Sequence, residues 1–565
     1  MKNSLVIILI VTLGFGCYFN SLFGEFIWDD FYLIVQNPLI NNPRNVGQLF
    51  TSELSDNFDY YRPVQLLSYL IDSYIYKKNP MGFHLTSVVI HILNALVIFF
   101  IIFYLLENRF MALVVSLFFV SAPFHTEAVT YIAGRADLLL WFFFLSSFLF
   151  YIRRRLFLAL LFFVLSLFCR EQAMVLPFMF ILYDQCFNNR YQNKVKYYLL
   201  FFLYDIIYIV LRLTLFNFSH KPLLYRKRYF FPEIDFWQRL LIFPRTIIEY
   251  LKIILYPVNL HMERKIGAIK NVFNPDFLLF ILILAGIIYA LVRLKNSRRL
   301  ILFCLFWFLI LLLPQSSFVF PLIMAEHFLY LPCISIFILF ALLLGRLWQK
   351  RSKLAHVILT VFIIYYFFLT VVHNINWQKP LVFYRWTIKF APNSYKLHYL
   401  LGNYYLEMGN LDLAFEEYKK AIEVDNNFMF SKINMKLYED VYRRNNNVFA
   451  NMYHNMGAIL SKKDYIMEAE ESFKKAIELN PDLVESYNDL GILYIKTGEI
   501  NKAEEILSTG LKINPKFERI YYNLGIILAQ RNDLVKAAKY WNKALELNPD
   551  YEAAKEAIRK LNENN

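Results

Sequence analysis

Apolar residues come in long runs through the first two thirds of the chain, then give way near residue 392 to a mixed, charged pattern of helical period. The runs lie near 4–23, 84–106, 109–122, 136–152, 155–170, 172–187, 197–216, 277–294, 300–314, 328–345 and 355–373. About twenty mostly apolar residues cross a hydrocarbon core of ~30 Å as a helix, so the pattern predicts about eleven or twelve spans. One further apolar stretch, 238–256, carries Arg239, Arg245, Glu249 and Lys252. Charges of that kind are costly against lipid, so it is expected to lie at the interface or to re-enter. Lys2, Arg109 and the basic clusters at 153–155, 190–196, 293–299 and 346–353 then share one side, as a cytoplasmic face requires. The segments 24–83, 121–135, 217–276, 314–327 and the whole C-terminal third fall on the other side. The basic triplet 226–228 fits that arrangement badly. The apolar N-terminal run lacks a small-residue cleavage site and reads as an uncleaved signal anchor.

The C-terminal third repeats with a period of 34 residues: Gly457, Gly491 and Gly525 recur at that spacing. Ala469, Ala503 and Ala537 follow each glycine, then Phe473, Leu507 and Trp541, then Ala476, Gly510 and Ala544, and finally Pro481, Pro515 and Pro549. Small residues where two helices cross, large ones in the gaps and a proline opening the next unit make the tetratricopeptide (TPR) pattern. An earlier unit is phased on Gly402, with Ala414, Tyr418 and Ala421, and Asn426 in place of its proline. An insertion that includes the polar run 443–447 separates it from the next. The expected fold class is all-α: a polytopic membrane helix bundle followed by a TPR α-solenoid. The expected domains are a membrane unit at 1–375 with its first outer loop at 24–83, a linker at 376–392, and the repeat array at 393–565.

Composition agrees with that division. Of 565 residues, 58% are hydrophobic and 19% aromatic, with a mean hydropathy of +0.39, against about 45–50% apolar in soluble domains. The formal charge of +14 sits in the short clusters between apolar runs, which favours a cytoplasmic membrane face over nucleic acid as a partner. The five cysteines, at 17, 169, 186, 304 and 333, lie in or beside apolar segments with no CxxC or metal spacing. No disulfide framework and no metal site are expected from them.

Ionisable residues at span ends carry the candidate chemistry. Asp29 and Asp30 follow Trp28 directly after the first run. A carboxylate pair there could serve as a general base or hold a divalent cation; no other cofactor is expected. His125, Glu127, Arg135 and Asp137 crowd one outer loop, where they suit a charged lipid headgroup. His125 and Glu127 lack the spacing of a helical metal pair. Arg170 with Glu171, and Glu326 with His327, each set a cation beside a carboxylate at membrane depth. Arg62, in Tyr61-Arg62-Pro63, and the pair His84/His91 are weaker signals. Together they suit transfer from a lipid phosphate: a carboxylate deprotonates an acceptor hydroxyl and arginine neutralises the phosphate.

These stretches resemble the GT-C membrane glycosyltransferases, most closely the TMTC-type protein O-mannosyltransferases with C-terminal TPRs. The resemblance rests on WDD at 28–30, YRP at 61–63, FH at 83–84 with His91, HTEAVTYIAGRAD at 125–137, REQ at 170–172 and AEHFLYLP at 325–332. It implies a polyprenyl-phosphate sugar donor, typically carrying mannose, and Ser or Thr hydroxyls of a protein acceptor on the outer side. It implies a catalytic role for Asp29 and Asp30, without choosing between them. Donor or substrate contacts are expected from Arg62, His125, Glu127, Arg135, Asp137, Arg170, Glu171, Glu326 and His327, with the donor phosphate met by Arg135 or Arg170. Two positions depart from the family pattern: His327 stands where arginine is expected, and Arg170 where lysine is. The TPR array is expected to engage the acceptor. A non-catalytic membrane scaffold that recruits export or assembly partners is the alternative. A single sequon at 217–219 leans towards a bacterial cytoplasmic membrane with periplasmic TPRs, over an endoplasmic reticulum membrane with lumenal TPRs.

Overall fold

A computed structural model describes residues 3–54, 60–187, 195–216, 236–262, 264–265, 274–313, 323–429 and 439–563. The sequon at 217–219 and the basic triplet at 226–228 lie outside the described residues. Among the described residues the chain is all-α apart from one two-residue antiparallel pairing, β1 (Arg264–Lys265) with β2 (Ile323–Met324). It divides into two compact units, Met1–Pro392 and Asn393–Asn565.

In the first unit the apolar runs become α1 (Asn3–Tyr18), α2 (Pro63–Tyr76), α3 (Pro80–Leu106), α4 (Arg109–Ser121), α5 (Arg135–Ile152), α6 (Leu156–Leu167) and α7 (Leu176–Phe187). They continue as α8 (Val195–Leu213), α9 (Phe236–Leu255), α10 (Pro275–Arg293), α11 (Arg298–Leu312), α12 (Cys333–Lys350), α13 (Ser352–Ile375) and α14 (Pro380–Phe390). Among the described residues six helices are long and apolar enough to cross a membrane, or seven if α4 and the bent continuation Pro123–Val129 count as one. The multi-pass membrane character stands, but several expected spans are shorter than expected. The helix α6 has 12 residues and α11 has 15, which at 1.5 Å per residue fall short of a ~30 Å core. The stretch expected at 238–256 forms α9, which contains Pro244. Its Arg245 and Lys252 pair with Asp276 at the start of α10, at 3.4 and 3.0 Å.

Two features place the outer chemistry. The break after α4 comes at Ala122-Pro123: proline disfavours a helical conformation in the residue before it, Ala122 is extended, and the chain turns by 55°. The polar segment 125–137 therefore leaves the bundle axis. The segment 24–83 builds a small core of its own from Phe26, Leu33, Ile34, Ile40, Leu49, Leu66, Tyr69 and Phe83, closed by Ile132 of the segment 125–137. The stretch 376–392, expected as a linker, is part of the first unit. Its α14 sets Phe383 edge-on to Trp28 with ring centroids 5.7 Å apart, and Trp386 Nε1 donates to the Leu260 carbonyl at 2.7 Å.

The second unit is an array of helix pairs, Tyr395–Glu407 with Leu411–Met429, Glu439–Lys462 with Ile466–Leu479, Val484–Lys496 with Ile500–Ile513, and Glu518–Gln530 with Leu534–Leu547, closed by Glu552–Glu563. The repeat glycines are close approaches. A Cβ on Gly457 would sit 2.9 Å from Phe473, one on Gly491 2.5 Å from Leu507, and one on Gly525 2.3 Å from Trp541 Nε1. Trp541 is pinned there because its Nε1 donates to the Tyr522 carbonyl at 3.1 Å. Gly525→Ala is therefore expected to destabilise the array by ~1–3 kcal/mol, the usual cost of overpacking. The measurement is the thermal midpoint followed by circular dichroism; an unchanged midpoint would contradict the close crossing.

Candidate active site

The segment 125–137 is the hub. After the Pro123 break it makes one short helical turn, Thr126–Val129, then enters α5 at Arg135. Several of its contacts reach other parts of the chain. The Tyr131 hydroxyl accepts from the Asp29 backbone N–H at 3.3 Å. Asp137 forms an ion pair with Arg170. Glu127 accepts from His327 twice, from the backbone N–H at 3.0 Å and from Nδ1 at 2.8 Å. The WDD, REQ and AEHF motifs thus converge on one polar floor.

The two acids of the WDD turn differ. Asp30 is fully buried, and its two carboxylate oxygens accept from the backbone N–H groups of Ile27 at 3.0 Å and Ala133 at 2.8 Å. Burial pushes its carboxyl up to about 8, against the pull of those two donors. Asp30 therefore ties the turn to the hub. Asp29 is half-buried, and Trp28 before it has a φ of 51°, a left-handed conformation that costs a bulky residue energy. The turn holds that conformation because Trp28 packs on Phe383 and Tyr384 and Asp30 is clamped on the other side.

The arginines also divide. Arg135, expected as a phosphate contact, is wholly buried and already satisfied. It pairs with Asp72 at 2.6 Å, donates to the Phe83 carbonyl at 2.6 Å, and lies over the Tyr69 ring. Its charge is countered by Asp72 inside the core of segment 24–83. Arg62 and Arg170 are different: the Nε–H of each is buried without a hydrogen-bond partner. Burial first, then the like charge of Arg170, pulls the Arg62 guanidinium below its ordinary value. Buried donors are nearly always paired in native structures, so two orphaned guanidinium N–H groups fit an anion. Glu171 lies 3.7 Å from Arg212, a residue that motif reading missed.

His125 stands apart from the charged floor. It is fully buried among aromatic rings, bonded to the Phe119 carbonyl at 3.0 Å and 3.6 Å from Cys333 Sγ. Glu326 is buried too and acts as an anchor. Its Oε1 accepts from the His261 backbone N–H at 2.7 Å and from Arg264 Nη2 at 2.7 Å. Arg264 had no motif to announce it; burial pushes the Glu326 carboxyl up to about 7, and the Arg264 guanidinium pulls against that rise. Among the described residues no group of three or more His, Cys, Asp or Glu side chains is placed to hold a metal ion.

Burial alone would lower the His327 imidazole, but Glu127 and then Asp137 outweigh it and raise it. The stability this pair contributes is fully present below the ordinary imidazole value of about 6.5. It is lost as pH rises through the raised value. His327→Arg, which keeps the charge at all these pH values, is expected to remove that alkaline decline. Thermal midpoints measured from pH 5 to about 9 check it; parallel profiles for the two proteins would contradict it.

Comparisons with known proteins find repeat models in the C-terminal unit and relatives along most of the chain. Tetratricopeptide repeat models match residues 395–428, 450–483, 467–524 and 518–551. Protein O-mannosyl-transferase F38B6.6 of Caenorhabditis elegans is 24% identical over 450 residues, covering 74% of this chain and 62% of that protein. Protein O-mannosyl-transferase TMTC3 of Homo sapiens is 24% identical over 536 residues, covering 85% of this chain and 55% of that one. Protein O-mannosyl-transferase TMTC1 of Homo sapiens is 37% identical over 150 residues, 24% of this chain and 17% of that one. Among solved structures, MamA is 26% identical and covers 30% of this chain and 81% of its own, with a TM-score of 0.25. The chain spans about 55–62% of the length of the first two relatives. The chain is thus a homologue, over most of its length, of proteins named protein O-mannosyl-transferases, with TPR repeats forming its C-terminal unit.

Proposed function

We propose that this chain is a glycosyltransferase that moves mannose from a polyprenyl-phosphate donor to Ser or Thr hydroxyls of a protein. The observation that carries the reading is the convergence on segment 125–137 of Asp29, through Tyr131, and of Arg170, through Asp137. Homology to O-mannosyl-transferases over most of the chain supplies the sugar. In this mechanism Asp29 takes the proton of the acceptor hydroxyl, and the hydroxyl oxygen forms a bond to the sugar's anomeric carbon. The bond from that carbon to the phosphate oxygen breaks, its electron pair staying on the phosphate. Arg62 and Arg170 neutralise the leaving group through their orphaned N–H donors. The configuration at the anomeric carbon inverts. The transfer takes place on the outer side of the membrane, the periplasmic side of a bacterial cytoplasmic membrane, and the TPR array holds the acceptor there.

The test is reconstitution of the purified chain in vesicles with polyprenyl-phosphate mannose and a Ser/Thr-rich protein acceptor. Intact-mass analysis is expected to show added hexose with this donor and not with the corresponding glucose lipid. Absence of product with both donors, from a folded protein whose array still captures its acceptor, would leave the scaffold reading in its place. Protease protection of the array in sealed vesicles checks the side.

A further inference from the structure

The other end of the membrane unit holds a feature that transfer chemistry does not use. A cleft of about 320 Å³ opens between the start of α4 and the end of α12. Its inner wall is apolar, made by Phe110, Met111 and Leu342; its rim carries Arg346 and Trp348. Gly345 lies between those walls, and a Cβ there would meet nothing within 4 Å. The space exists partly because a side chain is missing from the helix.

The rim is shaped and charged for one kind of molecule. Trp348 is held in place by Phe110, with ring centroids 4.6 Å apart, and by His356 at 3.8 Å. Indole rings favour the headgroup level of a bilayer, where one edge is wet and the other apolar. Arg346 is exposed and is oriented by its Nη2, which donates to Ser297 Oγ at 3.0 Å. The stretch 342–356 carries Arg346, Lys350, Arg351 and Lys353 and no Asp or Glu; at the turn into α4, Arg109 follows the single acid Glu107 by two residues. A small, positively charged, tryptophan-lipped cleft at the end of two apolar helices complements a phosphate with a hydrocarbon tail.

We propose that this cleft seats one anionic phospholipid, its headgroup phosphate on Arg346 and an acyl chain along Phe110, Met111 and Leu342. The proposal does not depend on the transfer reading, because none of these residues touches the outer polar floor.

The test uses the full chain in nanodiscs that contain phosphatidylcholine with one tenth phosphatidylglycerol, followed by native mass spectrometry after detergent release. The chain is expected to retain one phosphatidylglycerol in preference to phosphatidylcholine. Arg346→Gln should lower that retention about tenfold, as loss of one charge-assisted contact does. Gly345→Leu, which fills the cleft and leaves the charge, should lower it as well. Circular dichroism and the thermal midpoint show whether each variant is folded, and Gly345→Ala serves if the leucine is not tolerated. Equal retention by the wild type and both folded variants, or no preference for phosphatidylglycerol, would overturn the proposal. A rise in the midpoint with inorganic phosphate alone, equal to that with phosphatidylglycerol, would also overturn it, because it assigns the site to a free anion.

Discussion

Asp29→Asn is expected to lower mannose transfer by ~10²–10⁴-fold, the range that loss of a general base commands, while the thermal midpoint stays where it was. The half-buried Asp29 lies at the edge of the polar floor, whereas the neighbouring Asp30 is enclosed and spends both oxygens on backbone N–H groups. The companion expectation is opposite in kind. In Asp30→Asn one oxygen becomes an amide nitrogen that points at a backbone donor, and the buried turn loses an acceptor worth ~1–3 kcal/mol. The midpoint falls, and activity falls with it. Transfer assays and thermal unfolding on the same two preparations separate the roles. If Asp29→Asn retains full activity, the base is elsewhere; if Asp30→Asn is as stable as the wild type, the clamp has been overvalued.

The second large effect belongs to Arg135. Removing one partner of a buried ion pair strands the other, at a cost of ~3–5 kcal/mol. Arg135→Met leaves the buried Asp72 without its counter-charge. The variant is expected to unfold at a markedly lower temperature in detergent and to be inactive for that reason. Adding Asp72→Leu should recover much of the lost stability, since a hydrophobic pair of similar volume often replaces a buried ion pair without penalty. A direct phosphate contact predicts otherwise: Arg135→Met would be stable and inactive, and Asp72→Leu would not rescue it.

These two arginines show what could be read from the sequence and what could not. The repeat array was legible because each crossing constrains a residue type locally: glycine faces a large side chain sixteen positions later, as at Gly525 and Trp541. The membrane character was legible because hydrocarbon demands long apolar runs, and the motif residues were legible because charges are scarce there. Their partners were not. Asp72 sits in the second half of an ordinary amphipathic helix, and Arg264 in a two-residue strand that no sequence pattern announces; only the fold brings them to Arg135 and Glu326. Sequence order reports that several cations stand near the outer face. It does not report which of them a distant carboxylate has already neutralised. For the same reason His125, part of the most specific motif, turned out to pack among rings, and Arg62, a weak signal, proved to carry an orphaned donor.

The WDD turn also sets a schedule for biosynthesis. Asp29 is made early relative to its supports, which arrive late. Tyr131 and Ala133 come a hundred residues afterwards, and Phe383 and Tyr384 only at the close of the first unit. A nascent chain that has threaded its early spans therefore carries an unsupported carboxylate turn until translation passes residue 384. The turn is completed only in that late step, so stalled or prematurely terminated chains would hold Asp29 beside a Trp28 that lacks its aromatic support.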